Sequence, residues 1–440
     1  MFDRRLLSNF DWIMVLLTLT ISLLGVLSIY SASKGYSGNP QYWLKQLYWL
    51  GIGLGGGFVV LLVDFRTIGQ WSYVFHGLVT LSLVFLLVLS SGSGQVDRWF
   101  MIGPVAVQPS EFVKFTSVLA VAYYLRDGRR VGNLGLKGIW FPAILVLVPF
   151  LLIVNQPDLG TALLLPIILI PMIILAGLRL RLLIYLIAIG ILAVVALVAS
   201  FQMGVYRVEP SHAQEMQRLG FSESQVQTVS SLAGNTFQWK GGLEESMTDL
   251  QGGFEDQRLL DAVAERSFKP YISFVLRPYQ QRRLLTFVNP EADPLGAGYH
   301  VIQSRVAIGS GGFTGKGFGE STQGSLNFLP ARHTDFVFSI YAEEWGFLGA
   351  FLLLMLFAAL IYRSLSILFQ THDRFSAFVT VGITSIIGFQ ALINTGMAAG
   401  LLPVVGVPLP FFSYGGSSMI TLWIGIALLL NIRMRRFLWV

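Results

Sequence analysis

The densest concentration of potential chemistry runs from Asn289 to His300, as Asn-Pro-Glu-Ala-Asp-Pro-Leu-Gly-Ala-Gly-Tyr-His. Two prolines and two glycines fix a turn-rich backbone that can hold a carboxylate, with Arg282 and Arg283 just upstream. Asp293 in that run is a candidate general base; the structural alternative is a solvated Asp-Pro turn. A second candidate group lies in Gln108–Lys114. Glu111 and Lys114 stand three residues apart and so share a helix face. They fall inside an apolar stretch, where an unpaired charge costs at least ~2.5 kcal/mol. They should therefore pair with each other and line a polar cavity. Arg98 precedes them in the same connection, and Asp158 sits in a short turn between Asn155 and Thr161. Further on, Arg332, His333, Thr334 and Asp335 cluster at a helix start. Capping accounts for Thr334 and the helix dipole for Asp335, which leaves Arg332 and His333 unexplained. Glu343 and Glu344 follow and need partners. Ser413 lies in a Pro/Gly-rich segment, Gly406–Ser418, that reads as a re-entrant loop.

Other chemistries fail on spacing. The glycine run Gly309–Gly319 contains Lys316, yet it departs from a Walker A loop at two positions, Ser310 and Gly317. It reads as an anion-binding nest or as a flexible loop. The chain has no cysteine, which excludes disulfides and thiolate sites. Its five histidines are scattered without a metal-ligand signature, and no G-x-S-x-G elbow is present.

These groups need elements to carry them, and composition says what kind. Only 12% of the 440 residues are charged, against about 25% in soluble domains. Apolar stretches near 10–32, 43–63, 71–91, 109–125, 138–155, 159–177, 181–203, 336–363, 375–398 and 414–433 approach the length that crosses a bilayer. The fold class is an all-α polytopic membrane protein of about ten transmembrane helices. A large extracytoplasmic loop separates helices 7 and 8. The parts are 1–203 (helices 1–7), 204–335 (the loop with the catalytic motif) and 336–440 (helices 8–10). Glycines in the second span, from Gly51 to Gly57, suit close helix contact. Within the loop, residues 209–268 are polar and suggest short amphipathic helices outside the membrane. Arg66, Arg126, Arg129, Arg130, Lys137, Arg179, Arg181, Arg363 and Arg374 fall on the side of both termini. Only Lys34, Lys45 and Arg98 fall in the opposite short loops. This bias places the termini in the cytoplasm and the loop outside. The net charge of +6 is explained the same way, without nucleic acid.

Taken together, Arg98-Trp99, Gln108–Glu111 with Lys114, Gln156–Thr161, Asp293–Ser304, Phe328–Phe338 and Gly406–Ser417 resemble one family. It is the SEDS family (shape, elongation, division and sporulation). Gly-Ala-Gly-Tyr-His after Asp293 and Arg332-His333-Thr334-Asp335 favour its elongation branch. The resemblance implies a peptidoglycan glycosyltransferase that polymerises lipid II into glycan strands in the cytoplasmic (inner) membrane. It also implies a class B penicillin-binding protein transpeptidase as partner, beside lipid II, the lipid-linked glycan and membrane lipids. By the same resemblance Asp293 matches the family's essential aspartate, and Glu111 and Lys114 its cavity pair. Transfer with inversion needs one base at the acceptor hydroxyl and positive charge on the departing pyrophosphate. Arg98, Lys114, Lys316 or Arg332 would supply that charge, with Asp158, His333, Asp335 and Ser413 lining the substrate cavity. No cofactor is required by the sequence, and it shows no metal cage, although a divalent Mg or Mn ion could share the charge. A lipid II flippase is the alternative. It would place ionisable groups near the midplane, whereas here they gather toward the outer edge.

Overall fold

The computed structural model describes residues 9–33, 41–90, 98–102, 105–127, 135–156, 158–179, 298–325 and 332–436, with Leu329 and short pieces between 181 and 287. The chain divides into two compact units, one of residues 1–179 with 286–440 and one of residues 180–285.

The first unit is helical. Its first half contains α1 (Trp12–Ser33), α2 (Tyr42–Leu62), the short α3 (Phe65–Gln70), α4 (Ser72–Ser90), a hairpin of β1 (Phe100–Ile102) and β2 (Val105–Val107), α5 (Pro109–Leu125), α6 (Leu136–Asn155) and α7 (Leu159–Leu175). After the second unit come α8 (Tyr299–Ser310), α9 (Thr322–Ser325), α10 (Val337–Leu368), α11 (Arg374–Ala398) and α12 (Gly416–Arg435). Nine of the ten expected spans coincide with these helices. The remaining one, 181–203, lies mainly outside the described residues. Seven of the helices are long and apolar enough to cross a membrane, and α5 and α7 have 17 residues each. The protein is a multi-pass membrane protein.

Local chemistry sets the helix starts. Pro109 occupies the first turn of α5, where a missing N–H costs nothing. Asp158 caps α7 by accepting from Thr161 N at 3.3 Å, and Asp373 caps α11 by accepting from Ser376 N at 3.0 Å. The central helices α5, α11 and α12 are buried over most of their length. On α2, α4 and α6 side chains such as Phe58, Leu81, Phe85 and Leu151 are exposed, the arrangement expected where lipid is the solvent. Gly53 and Gly57 let α2 approach α12. A Cβ at either would come 3.2 Å from the Cβ of Trp423 or Ala427, the close contact that small-xxx-small spacing provides.

Helix α10 is broken at Gly346, whose φ is 62°. A break strands backbone groups, and lipid offers them no partner. The glycine run supplies the partners. Lys316 N donates to Glu343 O at 3.1 Å and Gly317 N to Glu344 O at 3.0 Å. In return Phe347 N donates to Gly312 O at 2.9 Å and Leu348 N to Phe313 O at 3.1 Å. A Cβ on Gly311, Gly315 or Gly346 would overlap backbone of the opposing segment. The run is therefore neither an anion nest nor a loose loop: it is the mate of a helix break. This contact ties the glycine run of the expected outer loop to the helical unit.

The second unit contains a three-stranded antiparallel sheet of β3 (Gly204–Arg207), β4 (Thr236–Gln238) and β5 (Phe268–Pro270), in the order β4-β3-β5. The short helices expected over 209–268 fall mostly outside the described residues, of which Gln217 and Gln227 are helical. Two of these strands flank the polar segment and one lies inside it. Each is three or four residues long, too short to show alternation in sequence.

Gly346→Ala should abolish folded yield, because a Cβ there has no room and the φ is wrong for it. Gly312→Ala shares a positive φ of 57° but meets nothing within 4 Å, so it should cost only about 1–2 kcal/mol. Thermal unfolding of the two purified variants checks the ranking; equal stability would refute the paired-break account.

Candidate active site

The helices α5, α7, α10 and α12 begin at one end of the bundle, and the residues singled out above gather there. Glu111 and Lys114 form an ion pair at 2.9 Å, with side chains 5% and 3% exposed. Beside them is a cavity of about 10 Å³, room for one water, lined mainly by Phe115, Ile383, Ile386, Leu422 and Gly425. The expected pair is present, but its surroundings are mostly apolar rather than a roomy polar chamber. Low local polarity strengthens the attraction and raises the cost of separating the charges.

One turn toward the helix start, three elements are tied by side chains. Gln108 N donates to Ser417 Oγ at 2.9 Å, joining α5 to α12. Gln108 Nε2 donates to Asp158 Oδ2 at 2.9 Å and Ser110 Oγ to the same oxygen at 3.4 Å, joining α5 to α7. Asp158 Oδ1 is the α7 cap. Asp158 thus acts as a clasp between helix starts.

The loops before α10 and α12 interlock beside this clasp. Tyr414 N donates to His333 O at 2.9 Å. Ser413 Oγ donates to Thr334 O at 2.7 Å and accepts from Leu409 N at 2.9 Å. Asn394 Nδ2 bridges Asp335 O at 3.0 Å and Val407 O at 2.8 Å. Gln46 of α2 spans the turn by donating to Ser413 O at 3.0 Å and accepting from Gly415 N at 3.2 Å. Val405, Val407, Leu409, Phe411 and Phe412 are buried, so the segment does enter the bundle, and Phe411 takes the left-handed φ of 63°. The His333 ring stacks on Tyr42 with centroids 4.3 Å apart and meets Tyr414 at 5.9 Å. Burial holds its imidazole below the usual range, and the Arg332 charge adds to the effect.

Two candidate cations are not where an open site would want them. Lys316 Nζ reaches Glu343 Oε1 at 2.5 Å and Thr322 Oγ1 at 2.8 Å. Glu343 also accepts from Ser321 Oγ at 2.5 Å, Thr322 Oγ1 at 2.6 Å and Thr322 N at 3.0 Å. Lys316 is therefore the counter-ion of a buried carboxylate, which removes it from the set that faces the leaving group. Arg332 is fully buried and donates to Gly324 O. Glu344 receives Ser31 Oγ of α1. Arg98 is half-buried just ahead of β1, and Asp293 lies outside the described residues.

Full-length similarity accompanies this geometry. The profile of the FtsW/RodA/SpoVE family, described as cell cycle protein, matches residues 9–221 and 253–437. The chain belongs to this family. The peptidoglycan glycosyltransferase RodA of Treponema pallidum is 32% identical, the alignment covering 98% of this chain and 99% of that one. The peptidoglycan glycosyltransferase MrdB of Escherichia coli is 32% identical over 97% of this chain and 94% of its own. A solved structure reported under "Structural coordination of polymerization and crosslinking by a peptidoglycan synthase complex" superposes with a TM-score of 0.66 at 28% identity. It covers 97% of this chain and 98% of that one.

Among the described members, Glu111, Lys114, Asp158, His333, Asp335 and Ser413 are thus drawn to one end, and reading the sequence missed the residues that fasten them. Gln46, Gln108, Ser417 and Asn394 carry no charge, and their partners are remote in sequence. Buried amides in apolar helices are the one local signal that marks them.

Lys114→Ala should strand the Glu111 charge and cost about 3–5 kcal/mol. The double change Glu111→Gln with Lys114→Met removes both charges and should restore the melting temperature without restoring activity. A double variant as unstable as the single one would show that the pair is not coupled.

The depressed His333 pKa means the unfolded chain binds a proton more readily than the fold does. Its contribution to stability is present above the ordinary pKa of about 6.5 and is lost as pH falls below it. His333→Gln should flatten the fall in melting temperature between pH 7 and pH 5. An unchanged profile would assign that fall to other groups, His300 first, whose imidazole burial also depresses.

Proposed function

We propose that this chain is a peptidoglycan glycosyltransferase that polymerises lipid II into glycan strands during cell elongation. The observation that carries the reading is its end-to-end similarity to curated peptidoglycan glycosyltransferases. The buried Glu111–Lys114 pair and the interlocked loops around His333 and Ser413 supply a rigid polar end at which such chemistry can be held. The positive-charge bias puts that end outside and both termini in the cytoplasm. The bundle agrees in placing the start of α1 beside the end of α12, where Arg433 meets Asp11.

In this reading the donor is a glycan strand on a lipid pyrophosphate and the acceptor is the 4-hydroxyl of the next lipid-linked disaccharide. Asp293 accepts the hydroxyl proton as the new C–O bond forms and the anomeric bond to pyrophosphate breaks. The reaction inverts the α-linked donor to a β-1,4 product in a single displacement. Positive charge on the leaving pyrophosphate falls to Arg98, with Lys114 fixed by Glu111 nearby; a magnesium or manganese ion, when bound, would share the load. A class B penicillin-binding protein is the partner that would crosslink the product. The similar chain of a peptidoglycan synthase complex supports this part.

Purified protein given purified lipid II, alone and with its transpeptidase partner, should yield polymer. Asp293→Asn should still fold and bind the partner, yet lose about 10²–10⁴-fold in rate, while Glu291→Gln should retain most of it. Near wild-type polymerisation by Asp293→Asn, with loss in Glu291→Gln, would move the role to Glu291.

A further inference from the structure

Helix α11 carries polar groups that the transfer chemistry does not use. Gln390 is fully buried, and neither its Oε1 nor its Nε2 has a hydrogen-bond partner. Among the described residues it is the one buried amide with both side-chain atoms unmet. Asn394 follows one turn later and is also fully buried. Its Nδ2 donates to Asp335 O and Val407 O, while its Oδ1 accepts nothing. Seven residues are nearly two whole helical turns, so Gln390 shares a face of α11 with Ile383. That face is turned to two other helices of the site. A Cβ on Gly425 of α12 would lie 3.3 Å from Ile383 Cγ2 and 3.7 Å from Phe115 Cε2 of α5. Ile383 also lines the small cavity beside Glu111 and Lys114. Gln390 therefore stands on α11 between the level of the ion pair and the loops that Asn394 joins.

An amide enclosed without partners destabilises the fold that holds it. A group that breaks this rule marks a place where the fold serves something other than its own stability. The unmet atoms are two carbonyl oxygens and one NH2, so acceptors and a donor stand together and none is charged. A pyrophosphate offers acceptors only and leaves both oxygens unmet. The hydroxyl and amide groups of a disaccharide offer donors and acceptors alike. We propose that Gln390 and Asn394 form a subsite that hydrogen-bonds the neutral sugar groups of the lipid-linked substrate, an inference that rests on the glycosyltransferase reading. Entry of the sugar requires the interlocked loops to part. The Asn394 Nδ2 bonds to Asp335 O and Val407 O are the ones that such opening breaks, and the freed NH2 then turns to the ligand.

Gln390→Met keeps the length of the side chain and removes its polar atoms. The full-length variant should melt no lower than the wild type, because the resting protein loses no bond. Native mass spectrometry then reads the subsite with two probes, lipid II and the same polyprenyl pyrophosphate without its sugars. Retention of lipid II should weaken about three- to tenfold, the worth of one neutral hydrogen bond, and retention of the bare pyrophosphate lipid should not change. In polymerisation the same factor should appear in KM, with kcat unaltered. A lower melting temperature with both lipids weakened alike would make Gln390 a structural residue and overturn the proposal. Unchanged retention of lipid II would overturn it as well, and equal loss of the bare lipid would assign the amide to the pyrophosphate instead. Binding needs no turnover, so a wild type that retains lipid II through its sugars yet makes no polymer would refute the glycosyltransferase reading alone.

Discussion

A carboxylate enclosed by a helix in a membrane protein is tolerable only if its charge is met on several sides, and Glu343 meets that condition. Lys316 neutralises it while Ser321 and Thr322 bind it through hydroxyls and a backbone N–H. Through those bonds it fixes a segment far longer than itself. The glycine run is drawn onto the broken turn of α10, and the chain emerging from it delivers Gly324 O to Arg332. Arg332 adjoins His333, whose carbonyl receives Tyr414 N from the re-entrant segment. One buried charge therefore governs the geometry of two loops that it does not touch. Its loss would expose helix-break backbone groups to an environment without water.

The Glu111–Lys114 pair is built on a different principle. Its two charges come from one helix at a spacing that local structure guarantees, and they are enclosed by α11 and α12 rather than fastened by a network. Rigidity comes instead from the neighbouring Gln108, Asp158 and Ser417, which join three helix starts. Pair and clasp are thereby separated. Glu111 and Lys114 satisfy each other within α5, while the Asp158 carboxylate, with an amide and hydroxyls, carries the mechanical connection between helices.

This separation explains what could be read in advance. Apolar length exposed nine of the ten spans, and a three-residue spacing exposed Glu111 with Lys114. Gly53 and Gly57 were legible as a contact face because close helix approach in lipid has a short motif. Lys316 was misread because its partner Glu343 lies 27 residues away, and a lysine among glycines looks locally like an anion site. The purpose of the glycine run depends on a positive φ at Gly346, which no periodicity reports. The clasp contacts were illegible for a similar reason: Gln108 and Ser417 are 309 residues apart. The small sheet of β3, β4 and β5 escaped because its strands are shorter than any pattern that could reveal them.

Asp11 has a consequence for how the molecule is made. The residues that neutralise it, Arg363 and Arg433, stand 352 and 422 positions later. At about 5–20 residues per second of synthesis, its last partner emerges roughly 20–80 s after it does. Throughout that interval the ribosome-bound chain carries an acidic side chain at the mouth of its first helix with neither arginine to meet it. Closure of the bundle is then the arrival of α12, which docks along α2 and brings Arg433 to the waiting carboxylate in the same movement.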